Sequence, residues 1–489
     1  MNPHPLLLDP LWSGLGLVAP LQARVSGLVP EGATGISIDS RSLNAGDLFF
    51  AIAGETSNGH DHVAAAFDNG AAAAVVDEAH ADGLEGLGPL YVVRDVLPAL
   101  VRLGAAARAR TKARIVAVTG SVGKTSTKDA LALVLGKGGA THAAVASYNN
   151  HWGVPLTLAR MPQACKFGVY EIGMNHAGEI TPLVAQVQPH VAVITTIAPV
   201  HLEHFGSLDA IADAKAEIFS GLAKGGVAII NRDIAQYDRL LAAAKASPAG
   251  HVLSFGAHAG AEARLESVEV FAEGTYVHAH VLGAHLRYRI GAPGRHFAEN
   301  SLAVLLAARA MGLGLAETAQ ALELFRPPAG RGQRAQLHTM HGSFTLIDES
   351  YNANPASMRA ALAVLGELAI DGAGRRIAVL GDMLELGADE NRLHEELATV
   401  IADQKIDLVF AAGDRMRHLH DAMPGHQQGG WAADAAQLLP VVSDAIRAGD
   451  VVMVKGSNGA RMGPLVKALT QAFATSGAGA VREAEPHVL

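Results

Sequence analysis

The chain has 489 residues, 49% of them apolar and 17% charged, with 38 basic against 47 acidic side chains and a net charge of −9. That length predicts two to four domains, and the absence of long single-sign runs excludes a disordered chain. The acidic balance argues against a general nucleic-acid-binding surface, so no nucleic-acid partner is expected, although a local basic pocket for phosphates remains compatible with it.

The N-terminal MNPHPLLLDPLWSGLG lacks the basic start and long apolar run of a signal peptide. No stretch supplies the about 18 uninterrupted apolar residues of a membrane span, so a cytoplasmic protein without an integral membrane segment is expected. Residues 1–108 hold short apolar strands (ISIDS, LFFAIAG, AAAVVDE, YVVRD) and a helical segment from His62 to Asn69, which predicts a small N-terminal α/β domain. A basic, alanine-rich helix, VRLGAAARARTKAR, leads into a second block spanning 109–326. There the apolar runs IVAVTG, FGVYEIGM, VAVITTI and VAIIN suit parallel strands covered on both faces. From 252 to 291 the alternation in VLSFG, ARLESVEVF, TYVHAHV and LRYRIG predicts added antiparallel strands. Cys165, the single cysteine, excludes an intramolecular disulfide and reads as a small core residue beside a strand. After the linker FRPPAGRG, residues 327–489 repeat the strand–helix rhythm in FTLIDE, RIAVLGD, LVFAAGD and VVMVKGS, predicting a doubly wound, Rossmann-like domain. The last fifteen or so residues are expected to fray.

The sharpest local signal is IVAVTGSVGKTSTKDAL: an apolar strand, a glycine-containing turn, Lys-Thr, then a helix. Its glycines let backbone N–H groups converge on phosphate oxygens. Lys124 offers a point charge to the terminal phosphates, and the Thr125 hydroxyl suits Mg²⁺. The position five before Gly123 is Val118 rather than the glycine of the common phosphate-loop pattern. Two further strand ends carry groups suited to metal: Glu171 in YEIGMNHAGEI, and His201 with Glu203 in VITTIAPVHLEHFGS. Parallel pairing would bring Glu171 and His201 to the sheet edge that holds the phosphate loop. In the helix DAIADAKAEIFSGL, Lys215 falls on the apolar stripe of Ile211, Ile218 and Leu222. Periodicity leaves two readings of it: a lysine that snorkels its ammonium into water, or a buried amine of depressed pKa free to be modified.

Together TGSVGKTST, HLEHFGSLDAIADAKAEIF, GRHFAENSLA, AGRGQ, DESYNANPAS and KGSNGARM resemble, in order and over nearly the whole chain, the motifs of the Mur ligase family of peptidoglycan synthesis. The resemblance implies an α/β protein of three domains: a small N-terminal domain for a UDP-sugar, a central P-loop parallel sheet, and a Rossmann-like C-terminal domain. It implies ATP as co-substrate, bound through Gly120, Ser121, Val122, Gly123, Lys124, Thr125 and Ser126, with His296 and Asn300 at adenine. Arg331 falls where phosphates are contacted and Asp348 where the ribose is held. Thr125, Glu171, His201 and a carbamylated Lys215 match the family's Mg²⁺ positions, and Lys124, Glu171, His201 and Lys215 its catalytic group. Ser40 and Arg41 would meet the UDP-sugar; Tyr148, Asn149 and Asn150 the peptide; Asn352 and Asn354 the incoming dipeptide. Phe297 departs from the family, which commonly has Asn after the histidine.

Within the family, YNNHWGVPLTL, DESYNANPASM and VLGDMLELG are similar to the member that joins UDP-N-acetylmuramoyl-tripeptide to D-alanyl-D-alanine, with a monomer expected. The stem carboxylate would take the γ-phosphoryl group of ATP, and the dipeptide amine would then displace phosphate from the acyl phosphate. Another amide ligase of this design, such as the preceding family step or the folylpolyglutamate type, and a nucleotide-dependent switch are the rival readings.

Overall fold

Three large sheets follow one another along the chain, besides a two-stranded pair of Trp12–Ser13 and Gly32–Ala33, and a computed structural model describes residues 10–54, 57–145, 147–200, 202–271, 273–370 and 372–474. The expected C-terminal tail lies outside the described residues. In the first domain the strand order is Arg24–Ser26, Leu90–Val93, Ala73–Asp77, Asp47–Phe50 and Gly35–Ser37, parallel except for the first pair. Its core does not close on itself. Leu100 and Leu103 of the helix Val96–Arg110 share one apolar cluster with Leu156 and Ala159 of the central helix Gly153–Ala159. Gly104 permits this approach, because a Cβ there would lie 3.0 Å from the Pro155 carbonyl oxygen. The Trp12 indole donates to Ala159 O (3.0 Å) and Arg160 Nε donates to Ile36 O (2.7 Å). These ties place the loop 147–152 at the junction of the two domains.

The central sheet has nine strands, in the order Ala284–Ile290, Gly274–Val281, Ala263–Phe271, His251–Gly256, Val227–Asn231, Val191–Ile194, Arg114–Thr119, Phe167–Glu171 and Thr141–Ala143. Its middle strands are apolar on both faces because both are covered. Helices Lys124–Gly138 and Arg295–Ala310 pack on one side, and Ile180–Val187, Leu208–Ala216 and Tyr237–Lys245 on the other. The expected antiparallel addition is real for 263–290, but VLSFG is not part of it. His251–Gly256 pairs in parallel with Val227–Asn231, because the helix Tyr237–Lys245 intervenes as a crossover and returns the chain in the same direction. Cys165 is buried, its thiol donating to Phe167 O (2.9 Å).

The third domain is a six-stranded sheet: Gln333–Thr339, Gly342–Glu349, Val451–Lys455, Arg376–Gly381, Leu408–Ala412 and Gln428–Ala432. Only its first pair is antiparallel, and a core lies on each face. Strand Val451–Lys455 sits between the chain's earlier strands Gly342–Glu349 and Arg376–Gly381, so the order reverses there and opens a crevice at the strands' carboxyl ends. No helix among the described residues is long and apolar enough to cross a membrane.

Candidate active site

The phosphate loop leaves the central strand Arg114–Thr119 and enters the helix that begins at Lys124. Two glycines make the turn possible. Gly120 has φ +148° and a Cβ there would collide with Thr195 Oγ1 at 1.9 Å; Gly123 has φ +85° and lies against the Asn300 amide. The neighbouring strand end locks the loop, with Thr195 Oγ1 donating to Val122 O (2.6 Å) and Ser121 Oγ donating to Ala198 O (3.0 Å). The Lys124 ammonium folds back onto Gly120 O at 2.7 Å. Burial pushes Lys124 below its ordinary pKa against the pull of Glu171, and Arg331 adds to the fall.

Glu171 ends the adjacent strand and is 1% exposed. Its carboxylate accepts the Thr125 hydroxyl at 2.7 Å and the Asn149 amide at 2.6 Å. Two hard oxygen donors thus stand side by side below the loop, the donor type that Mg²⁺ takes. Lys215 is also 1% exposed, which decides between its two readings: it does not snorkel. Burial holds its amine well below the ordinary lysine pKa, and the charge of Lys124 lowers it further. Among the described residues it has no ion-pair partner. His201 lies outside the described residues.

The C-terminal domain closes the cleft from above. Ser121, Val122, Gly123, Lys124, Ser126, Asn149, Glu171, His296, Asn300, Arg331, Asn352 and Asn354, all expected from sequence, line one space of about 600 Å³. Arg331 Nη2 donates to Ser147 Oγ (3.3 Å) across the domain junction, and its guanidinium stacks on Tyr351 at 4.0 Å. Burial lowers the pKa of His296, opposed by Glu349 and assisted by Lys455, which places both residues of the third domain beside it. Asp348 is absent from the wall. Its carboxylate is filled by the Gly330 N–H (2.9 Å) and by the backbone N–H and hydroxyl of Ser350 (3.1 and 2.6 Å). The next residue, Glu349, faces the cleft and pairs with the buried Lys455 at 3.3 Å. Asn354 lines the cleft, but its side-chain oxygen caps the helix Pro355–Glu367 through the Ser357 N–H (2.9 Å). Sequence reasoning missed Glu349, Lys455, Tyr351, Asn231 and Glu299; each ends or follows a strand, or lies in the first turns of a helix, at the edge where ligands gather, the one signal that could have found them.

A second cleft, about 1070 Å³, opens between the first two domains and is lined by Asp39, Ser40, Arg41, His62, Tyr148 and Trp152 among others. Arg41 grips Asp39 through Nε and Nη2 (2.9 and 2.7 Å) and holds its carboxyl at about 2. Tyr148 faces this cleft and Asn149 the nucleotide cleft, whereas Asn150 lines neither and accepts the Gly153 N–H (2.9 Å) in the turn that leads into the helix Gly153–Ala159. Elsewhere in the first domain, His60 and His80 stack with ring centroids 4.0 Å apart around Asp77. Nearly parallel rings at that spacing cannot aim in-plane lone pairs at one ion, so this group reads as a hydrogen-bonded structural cluster.

A phosphate loop on a parallel sheet, a buried carboxylate beside it and a third domain closing over both define a three-domain P-loop enzyme. The chain belongs to the Mur ligase family. Its models match as the catalytic domain over residues 33–119, the middle domain over 118–308 and the glutamate ligase domain over 333–458. The UDP-N-acetylmuramoyl-tripeptide–D-alanyl-D-alanine ligase of Rickettsia prowazekii is 32% identical, over 88% of this chain and 94% of the relative. The ligase of the same name from Bacillus subtilis is 33% identical, over 89% and 93%. The crystal structure of MurF from Acinetobacter baumannii superposes with a TM-score of 0.80 at 30% identity, covering 95% of this chain and 99% of that one.

Proposed function

We propose that this chain is the ATP-dependent ligase that adds D-alanyl-D-alanine to UDP-N-acetylmuramoyl-tripeptide through an acyl phosphate. The observation that carries the reading is the pair Tyr148 and Asn149: adjacent residues of one short loop face the two clefts. A UDP-sugar held at Ser40 and Arg41 would pass its peptide stem over Tyr148 and deliver the terminal carboxylate to the γ-phosphate beside Asn149 and Lys124. A stem carboxylate oxygen attacks the γ-phosphorus, the bond to the β-phosphate oxygen breaks, and ADP leaves. The dipeptide amine then attacks the acyl carbon, loses a proton, and inorganic phosphate departs.

The physical difficulty is bringing one anion to another. Lys124 and Arg331 supply fixed positive charge at the phosphates, in a site where burial strengthens each interaction. Thr125 and Glu171 would hold Mg²⁺, with His201 and Lys215 as further ligands, and the ion when bound neutralises charge on the phosphate oxygens. Lys215 can serve only if its charge is reversed. A neutral buried amine adds CO₂ and releases a proton, becoming an anionic carbamate that presents oxygens; its burial and depressed pKa favour this. Glu349, which faces the cleft beside its partner Lys455, would receive ribose hydroxyls in place of Asp348, because Asp348 is already satisfied by its own turn. Closure of the third domain over the cleft would keep water from the acyl phosphate. A reaction on nucleotide-linked substrates suits the cytoplasm.

Acid-quenched assays test this. ADP release should require ATP, UDP-N-acetylmuramoyl-tripeptide and D-alanyl-D-alanine together. Turnover on a folyl substrate with none on the muropeptide pair would replace the reading with the folylpolyglutamate type.

A further inference from the structure

Glu299 has no role in the account above, yet it stands on the wall of the nucleotide cleft. Along the carboxyl edge of the central sheet the strands run Phe167–Glu171, Arg114–Thr119, Val191–Ile194, Val227–Asn231. Glu171 and Asn231 therefore mark two ends of the cleft, three strand spacings or about 14 Å apart. The phosphate loop lies between them, with its Thr125 hydroxyl donating to Glu171 at 2.7 Å. A nucleotide whose terminal phosphate rests at Lys124 has its base at the Asn231 end.

Glu299 sits at that end, on the first turns of the helix Arg295–Ala310, with Asn300 next to it against Gly123. Arg295 Nε donates to Glu299 Oε1 at 2.9 Å. The other oxygen, Oε2, has no hydrogen-bond donor among the described residues. Burial in the cleft wall and the nearby charge of Asp233 raise this carboxyl above its usual range, while Arg295 pulls it down. Two positions earlier, Phe297 occupies the place where the family resemblance leads one to expect an asparagine. Phe297 is 5% exposed and packs on Phe325 with ring centroids 5.8 Å apart, so it turns into the core and offers the base nothing polar.

We propose that Glu299 reads the nucleobase: Oε2 accepts a hydrogen from the 6-amino group of adenine, a polar contact that Phe297 cannot make. An ionised carboxylate only accepts, so a purine without that amino group leaves it facing the base unpaired in a partly desolvated site. The bland alternative is a surface ion pair at helical i, i+4 spacing, which would be indifferent to the base. The inference rests on the ATP reading, and it concerns one residue of that site.

The test compares ATP with purine riboside triphosphate, which differs from it only in lacking the 6-amino group. Guanine nucleotides are less clean, because a carboxylate can also accept from guanine N1–H. Calorimetric Kd values for the full-length enzyme should be about tenfold weaker for the analogue than for ATP. In Glu299→Ala the two nucleotides should bind alike to within a factor of about two, through weaker binding of ATP alone. Glu299→Gln, which retains an acceptor oxygen, should fall between. Both substitutions are at a partly exposed helical position, and unchanged thermal midpoints would confirm folding. Equal binding of the two nucleotides by the parent enzyme, or an unchanged ratio in Glu299→Ala, overturns the proposal and leaves the ligase reading standing. A parent enzyme that binds neither nucleotide overturns both.

Discussion

Lys124 and Arg41 are both cations at the wall of a cleft, and the protein treats them in opposite ways. Lys124 is held in the loop, its charge desolvated and its nitrogen 2.7 Å from the Gly120 carbonyl oxygen. The Arg41 side chain is 87% exposed and already paired with Asp39. A desolvated charge acts strongly on whatever displaces its weak internal partner, because little water screens it. An exposed, paired charge exchanges one partner for another with little net gain. On the proposed function, the nucleotide cleft would stabilise developing charge, and the N-terminal cleft would capture and orient substrate.

The largest expected effect is at the buried end. Lys124→Ala should lower kcat by about 10²–10³-fold, with thermal unfolding and circular dichroism unchanged, since the phosphates lose their main protein charge. A folded variant with near-normal turnover would break the contrast. Next comes Lys215→Ala, which should still bind ATP but lose activity by about 10²-fold. High acetate should restore part of it by filling the vacated oxygen site, and a mass increment of one CO₂ on Lys215 in the parent protein would sharpen the point. Full activity in Lys215→Ala would remove the carbamate from the reading.

The smallest effects belong to the exposed end. Arg41→Ala should raise the KM for the UDP-linked substrate a few-fold with kcat intact, and the difference should shrink as salt is added. The pH dependence has a definite sign. The Asp39 carboxyl is lowered from 3.8 to about 2, chiefly by its hydrogen bond from Arg41, so the pair contributes fully above 3.8 and its contribution disappears as pH falls through about 2. Asp39 thus stays ionised through the neutral range, and Asp39→Asn should leave both the neutral pH profile and, because water screens the pair, the acid-unfolding midpoint almost unmoved. A strong shift in either would show that the N-terminal cleft also works by desolvated charge.

Features written into contiguous residues are legible in the sequence itself. The strand–glycine–lysine–helix succession at 114–138 stands where the motif places it. The apolar runs of the central sheet are strands buried on both faces. The strands Thr141–Ala143 and Gln428–Ala432 carry no such signal, because one has only three residues and the other is interrupted by Gly429 and Gly430; both pair on a sheet edge that the rest of the domain provides.

Orientation is a different matter. Asp348 and Glu349 are successive residues at one strand end, and successive side chains of a strand point to opposite faces, so only the assembled sheet reveals that Glu349 meets the cleft. Asn149 and Asn150 are chemically identical, yet one holds Glu171 and the other closes a local turn through the Gly153 N–H. Lys215 lies on an apolar stripe by periodicity, but a lysine stem is long enough to reach water from such a place; packing of the neighbouring helices closes that route. By itself, then, the sequence determined the order of elements, the phosphate loop and the chemical inventory, because these depend on neighbours in the chain. Only the tertiary structure decided which side chains of that inventory share a cleft and which are already satisfied. Burial and hydrogen-bond partners come mostly from residues far away in sequence, and they settle whether a polar group is free to act.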